Sequence, residues 1–157
     1  MPARLARYAP FGVLATVSIA TGLAIALGFG GAVGMSLHAI VGFMLCALAL
    51  LRFLELAAFA DAFRRYDLIA RRWRPYGLAY PFLQFGLGLC YFSFFAPVQT
   101  YFASALLLTF TLAGALSAIE TGRARSVAAA SLRAPSAVMM LMESGVLAVM
   151  ALVMLWM

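Results

Sequence analysis

Five long apolar runs divide this chain, and they limit what it can fold into more than any other feature. Each run is long enough to cross a bilayer, which needs about 20 consecutive apolar residues. Hydrophobic residues make up 66% of the 157 positions and charged residues only 10%, so a soluble domain of this size could not bury the apolar surface. The sequence therefore predicts an all-α integral membrane protein, a bundle of five transmembrane helices at residues 11–35, 37–60, 77–97, 99–120 and 137–157.

The positions of the basic residues predict the orientation of these helices. The chain has eleven arginines, no lysine and five acidic residues, which gives a net charge of +6. Arginines precede the first run and lie between the second and third runs and between the fourth and fifth, whereas the loops at 34–37 and 96–100 contain none. Because basic loops stay in the cytoplasm, we expect a bacterial inner-membrane protein with a cytoplasmic N-terminus and a periplasmic C-terminus. The basic charge is thus explained by topology and contact with anionic lipid, and no nucleic-acid binding is expected.

The first run could also be a cleaved signal peptide, because Arg4 and Arg7 resemble a basic n-region. Its apolar stretch is longer than the roughly 7–15 residues of a typical signal-peptide core, which favours an uncleaved anchor. Cleavage would leave four spans in the same orientation.

Cysteine and methionine are the residues that could carry redox or metal chemistry. Cys46 and Cys90 both lie roughly 20 Å from the cytoplasmic ends of their helices, counting about 1.5 Å per residue. Equal depth permits a thiol pair, but a buried cysteine usually packs as a small apolar residue, and the chain has no C-x-x-C. The methionine stripe formed by Met150, Met154 and Met157 has no histidine or cysteine beside it. We therefore favour packing roles for both sets and expect no metal and no cofactor.

The basic segment "DAFRRYDLIARRWRPYG" predicts a short amphipathic helix on the cytoplasmic membrane surface. Its apolar residues recur at alternating spacings of three and four, the helical period, and Pro75 should end the helix. Asp67 is spaced to pair with Arg64 and Arg71. A basic loop that merely fixes topology would explain the charge equally well. The residues assigned to this interfacial helix are Tyr66, Asp67, Arg71, Arg72 and Trp73.

Four polar residues inside the apolar runs form the most informative pattern. If the second run is one helix to residue 60, Arg52, Glu55, Gln84 and Glu143 all lie roughly 9–13 Å from the cytoplasmic face. Arg52 should lean away from that face, because side chains in a helix tilt toward its N-terminus. It therefore needs an internal partner, either Glu55 or Glu143. This intramembrane polar layer predicts either a buried ion network that fixes helix register or a site for a proton, ion or ligand.

With these residues identified, the chain resembles the MauE/DoxX-type family of redox-associated membrane proteins. The match begins at residues 37–92, where a membrane helix with a basic–acidic pair precedes Tyr-Asp, a basic stretch and Tyr-Pro-Phe. It resumes before the last run. The residues on family positions are Arg52, Glu55, Tyr66, Asp67, Tyr80, Pro81, Phe82, Pro135, Glu143 and Met150. The resemblance implies a four-helix membrane domain over residues 37–157, with residues 1–36 as an additional N-terminal span.

Two departures from the family pattern affect what the resemblance implies. Relatives often carry Cys-x-Cys before the last helix, where this chain has only "SVAAASLRAP", and Gln84 replaces their acid after Tyr-Pro-Phe. The family's association is with thiol or disulfide handling, for example in maturing a disulfide-rich periplasmic dehydrogenase subunit in methylamine utilisation. Other relatives are associated with heavy-metal functions. The charged scaffold is retained here, whereas the usual dithiol is not.

Two classes of function follow, and neither requires an enzyme. The first is an accessory or assembly protein of the inner membrane that acts through another membrane or periplasmic protein in maturing a redox system. The second is a small carrier of heavy metal or another solute that uses the polar layer. A redox-active membrane enzyme ranks third, because only Cys46 and Cys90 could serve it. The lipid bilayer is itself a partner, and an oligomer is compatible with the sequence.

Overall fold

α-Helices are the only regular secondary structure over the residues that the computed structural model describes, which are 2–28, 33–121 and 137–156. The predicted all-α class is therefore confirmed for these residues. Arg123, Arg125, Arg133 and Pro135, on which parts of the topology and family arguments depend, lie outside them. The helices are α1 (Pro2–Gly28), α2 (Val33–Phe53), α3 (Leu56–Tyr66), α4 (Leu68–Arg72), α5 (Arg74–Ser93), α6 (Pro97–Glu120) and α7 (Ala137–Trp156).

Among the described residues, three helices are long and apolar enough to cross a membrane: Val33–Phe53, Pro97–Glu120 and Val138–Trp156. A shorter apolar helix, Gly12–Gly28, forms the second part of α1. Helix α5 is less apolar because tyrosine, glycine, proline and Gln84 interrupt its aliphatic residues. The helices suggest a multi-pass membrane protein, but they do not establish all five predicted spans.

The helices associate as two groups. Helix α2 packs extensively against α1 and α5, and α6 packs against α7. Smaller contacts between α2 and α7 and between α5 and α6 join the groups. Apolar side chains form most of the core, while many large apolar residues such as Leu106 and Phe110 remain exposed on the outer faces, as expected of surfaces that face lipid.

Glycines allow helices α2 and α5 to approach closely. A Cβ atom built on Gly42 would lie 3.1 Å from the carbonyl oxygen of Gly88, and one built on Gly88 would lie 3.0 Å from that of Gly42. Because these neighbours are backbone atoms, they cannot move aside as a flexible side chain could. Small residues at this crossing therefore set the distance between the two helices.

The predicted second span, 37–60, is wrong in its extent. Helix α2 ends at Phe53, and a turn at Leu54 and Glu55 precedes α3. The apolar run continues through this turn, so apolar length alone could not reveal the break. Helices α3 and α4 then pack against α5 and α6 at the end of the bundle where α2 terminates. We call the segment Leu56–Arg72 the cap.

The prediction of one continuous interfacial helix is also wrong, because the cap breaks at Asp67. This residue is extended (φ −77°, ψ 136°), ending α3 and beginning α4. Its Oδ1 accepts hydrogen bonds from the backbone N–H groups of Ile69 at 2.9 Å and Ala70 at 2.8 Å, the usual role of an N-cap aspartate. Oδ2 has no hydrogen-bond partner among the described residues, so the expected pairing with Arg64 and Arg71 is not formed.

Candidate functional site

Arg52, Gln84 and Glu143 meet inside the bundle and form what we call the triad. Arg52 donates one hydrogen bond from Nη2 to Oε1 of Glu143, which is also a salt bridge, and another from Nη1 to Oε1 of Gln84. The three residues come from α2, α5 and α7 and are 7%, 0% and 1% exposed. The ion pair thus connects the α2–α5 group to the α6–α7 group. Its geometry suits a buried clamp, because each charge is directly compensated.

Two aromatic rings cover the guanidinium group of Arg52. Its Cζ atom lies 5.0 Å from the ring centroid of Phe59 and 5.3 Å from that of Tyr80, within the range of cation–π attraction. Nη2 also approaches Sδ of Met140 at 3.3 Å. The Tyr80 hydroxyl is in turn hydrogen-bonded to that of Thr111 on α6, at 3.2 Å. Arg52 is therefore held on several sides, which restricts its exchange between partners.

Sequence reasoning missed these surrounding residues, although a signal for one of them was present. Tyr80 precedes Gln84 by four residues, so the two share one face of α5. Arg52 sits in the last turn of α2, where a positive charge is favoured by the partial negative charge of the helix C-terminus. The spacing of Tyr80 and Gln84 can be read from the sequence alone. The position of Arg52 in the last turn of α2 can be recognised only when the end of that helix is known.

Glu55, the fourth residue of the predicted polar layer, occupies a different position. It is exposed and lies in the turn between α2 and the cap, where it is the N-cap residue of α3. Its predicted depth assumed a helix that continued to residue 60, and the break after Phe53 removes that assumption. The triad's carboxylate is Glu143, whereas Glu55 marks the joint of the cap.

Several buried polar atoms near the triad have no hydrogen-bond partner in the described part of the chain. Tyr66, Asp67, Tyr76 and Gln84 are each less than one-tenth exposed. Tyr66 packs against Phe63 with ring centroids 5.5 Å apart, and Phe63 packs against Tyr80 at 4.5 Å, which connects this zone to the triad. Leaving such an atom without a partner costs about 1–3 kcal/mol. The atoms are the hydroxyls of Tyr66 and Tyr76, Asp67 Oδ2 and Gln84 Nε2, together with Arg64 Nε.

The residues predicted for the interfacial helix divide between two environments. Tyr66 and Asp67 are buried, whereas Arg71, Arg72 and Trp73 are exposed, Trp73 by 59%. Burial raises the pKa of the Asp67 carboxyl, and its two backbone N–H donors oppose that effect. The exposed arginines and tryptophan form a surface suited to lipid headgroups, and the buried pair faces the interior.

The two thiols are free, and neither joins the triad. Cys46 and Cys90 are both partly buried. Sγ of Cys46 lies 3.9 Å from the carbonyl oxygen of Phe85 and fills the space that a side chain on Gly88 would otherwise occupy. The contacts of Cys46 are those of a packing residue. No group of three residues that could hold a metal ion occurs among the described histidines, cysteines and acids.

A second polar cluster lies at the opposite end of the bundle from the cap; we call His38, Tyr91, Phe94 and Tyr101 the aromatic cluster. Nδ1 of His38 lies 2.8 Å from the Gly34 carbonyl oxygen, and Nε2 is hydrogen-bonded to the Tyr101 hydroxyl. The imidazole stacks on Phe94 with centroids 4.5 Å apart. A neutral imidazole with its proton on Nδ1 satisfies both nitrogens, so this cluster contains no required charge.

No family model, curated protein or solved structure matched this chain.

Proposed function

We propose that this protein is an accessory or assembly protein of the bacterial inner membrane, acting through a partner in the maturation of a periplasmic or membrane redox system. The compensation of Arg52 carries the proposal: a carboxylate, an amide oxygen and two aromatic rings hold its guanidinium. In a carrier, the charged side chain that binds the solute must exchange its protein partner for that solute. Here the partners of Arg52 hold it in place and connect helices from both groups. The resemblance to MauE/DoxX-type proteins suggests that the partner handles thiols, disulfides or electrons.

The proposed topology has five spans, with a cytoplasmic N-terminus and cap and a periplasmic C-terminus. Support comes from three apolar helices of spanning length, the apolar second part of α1, and the packing of α5 against α2. Reporter fusions after Arg72 and Arg125 should give cytoplasmic signals, and a fusion after Met157 should give a periplasmic one. A periplasmic signal after Arg72 would contradict this topology.

A double variant, Arg52→Met with Glu143→Gln, separates a clamp from a transport site. If the triad only joins helices, the folded double variant should complement a deletion strain and co-purify with the same proteins as the wild type in mild detergent. Loss of complementation by a folded variant that retains its co-purifying proteins would reject the clamp and favour a carrier. Cys46→Ala with Cys90→Ala provides a parallel test, since loss of complementation would indicate thiol chemistry.

A second candidate, a carrier of heavy metal or another small solute, is favoured by the buried polar atoms that lack partners. The Tyr66 and Tyr76 hydroxyls and Gln84 Nε2 could bind a polar occupant near Arg52. Solute uptake into proteoliposomes by the wild type, absent from Glu143→Gln, would support this function.

A further inference from the structure

The cap is attached to the bundle through two non-helical joints. At one end Glu55 (φ −135°, ψ 52°) follows the turn after α2, and at the other Trp73 (φ −132°, ψ 99°) separates α4 from α5. Both residues are exposed. Rotation about these joints can move the cap while α2 and α5 stay in place, because no helix continues across either joint.

The cap covers the triad. Phe59 contributes one of the rings against Arg52, and Phe63 packs on Tyr80 with ring centroids 4.5 Å apart. These two phenylalanines are 4% and 0% exposed. Outward displacement of the cap would therefore uncover the guanidinium and expose both rings.

The closed position leaves polar atoms without partners on both sides of the interface. Tyr66 and Asp67 belong to the cap, while Tyr76 and Gln84 belong to α5, and each has a buried polar atom with no hydrogen-bond partner among the described residues. Tyr66 packs against Phe63 and Tyr76 packs against Tyr80, with ring centroids 5.5 Å and 6.1 Å apart, so these groups lie beside the aromatic residues that pack around Arg52. An apolar interface would avoid this cost, whereas water admitted by opening would supply the missing partners.

We propose that the cap is a hinged gate over a buried proton-binding site, and that its opening admits water to Glu143. In the open state a hydronium ion transfers its proton to the Glu143 carboxylate, leaving water and a neutral carboxylic acid, while Arg52 keeps its hydrogen bond to Gln84. Among the described residues, Arg52 from α2 contacts Glu143 directly, and Tyr66 from the cap and Tyr80 from α5 are the other titratable groups within electrostatic range of it. The inference goes beyond the accessory function and does not depend on it.

Opening has an opposing cost that keeps the closed state populated. Each group without a partner gains a hydrogen bond to water when the cap opens. Against this, Phe59 and Phe63 lose buried apolar area, and Arg52 loses its contact with the Phe59 ring. The cap can therefore open locally while the bundle stays folded.

A disulfide between the cap and α5 can test the gate directly. A Cβ atom built on Gly77 lies 3.6 Å from that of Ala60, within the usual range of about 3.5–4.5 Å for a disulfide. Ala60→Cys with Gly77→Cys, in a chain whose native cysteines are changed to alanine, should lock the cap when oxidised. Modification of Glu143 by a water-soluble carbodiimide and an amine, followed by peptide mass spectrometry, measures access by water and protonation together.

The reduced protein should be modified at Glu143, and oxidation should slow this reaction by about tenfold or more until a reductant restores it. Glu120, exposed at the end of α6, is the internal reference and should react equally in both states. Equal modification of Glu143 in the locked and reduced proteins would overturn the gate. Absence of modification in both, with Glu120 modified, would overturn it as well.

A second variant tests the gate without a disulfide. A Cβ atom on Gly114 of α6 would lie 3.0 Å from the Cα of Asp67 and from the carbonyl oxygen of Tyr66, so Gly114→Ala must shift the backbone at the break in the cap by a few tenths of an ångström and loosen its packing on α6. Glu143 should then be modified several-fold faster than in the wild type. The matched control is Gly145→Ala, whose Cβ would lie 3.8 Å from Leu112 and needs no displacement. An unchanged rate in Gly114→Ala would contradict the gate.

Discussion

The two helix groups are joined by different interactions at the two ends of the bundle. At the cap end the triad connects the helix groups through an ion pair, and nearby polar atoms lack partners. At the far end, His38 with Tyr101 and Tyr91 with Ser104 connect the same groups through neutral hydrogen bonds, the latter at 3.1 Å. Ser104 and His38 are each bonded to a backbone carbonyl as well.

The comparison shows that the same two helix groups can be held together by an ion pair at one end and by neutral hydrogen bonds at the other. An ion pair requires both of its members, because removing either leaves a buried charge. Loss of a neutral hydrogen bond costs less stability, since no charge is left buried and a group that loses one partner can keep a second hydrogen bond. The cap end should therefore tolerate single substitutions poorly and paired substitutions well, whereas the aromatic cluster should respond mildly to each.

The largest effect is expected from separating the ion pair. Glu143→Gln and Arg52→Met should each lower the free energy of unfolding by about 3–5 kcal/mol, because one charge remains buried without its partner. The double variant should recover much of this loss. Thermal-shift measurements in detergent on the two single variants and the double give the coupling energy.

Ser144→Ala is the matched control for Glu143→Gln, because Ser144 is the next residue on α7 and its buried hydroxyl has no hydrogen-bond partner in the part of the chain that the structure describes. Its removal should be neutral or slightly stabilising. Glu55→Gln should also be mild, as Glu55 is exposed. Strictly additive effects of Arg52→Met and Glu143→Gln would disprove the coupling.

A smaller effect is expected at the aromatic cluster. Tyr101→Phe leaves Nε2 of His38 without its hydrogen-bond partner, and should cost about 1–3 kcal/mol. Tyr91→Phe should cost less, because Ser104 keeps its hydrogen bond to the carbonyl oxygen of Thr100. Thermal unfolding of the two variants in the same detergent provides the comparison. A larger loss from Tyr91→Phe would mean that the His38 bond does not determine stability at this end.

A small stabilising effect is expected in the loop beside the aromatic cluster. Phe94 and Ala96 both have positive φ angles, 52° and 41°, which side chains other than glycine rarely adopt. Ala96→Gly should stabilise the protein by about 0.5–1 kcal/mol by relieving this strain. Ala103→Gly, the same change inside α6, should destabilise by about 1 kcal/mol. Loss of stability in both variants would show that Ala96 is not strained.

The composition of the triad followed from counting residues along apolar runs. Gln84 and Glu143 were placed at similar depth to Arg52 because each lies a similar distance from the basic end of its run. The same count placed Glu55 in the layer, and failed, because it required an unbroken helix. Depth depends on where a helix ends, and the turn after Phe53, formed by Leu54 and Glu55 between two apolar segments, contains no glycine or proline to mark that end.

The cap was only partly predictable for a related reason. The helical period grouped Phe59, Phe63, Tyr66, Ala70 and Trp73 as one apolar stripe. The first four are buried and Trp73 is exposed, and the period gave no sign of the break at Asp67. An aspartate before a helical segment is a known N-cap signal, yet a mid-helix aspartate among arginines looks equally like an ion-pair partner. Tertiary contact decides between them: the backbone at Asp67 and Tyr66 lies against Gly114.

The separation of Arg52 from Glu143 along the chain has a consequence for biosynthesis. Arg52 is synthesised 91 residues before its carboxylate, which at translation rates of 5–20 residues per second is a delay of roughly 5–18 s. Gln84 follows after only 32 residues and can hold the guanidinium in the meantime. We therefore expect a nascent intermediate in which α2 and α5 are packed together and the charge of Arg52 is not yet neutralised. Synthesis of α7 then provides the carboxylate of Glu143 and completes the bundle.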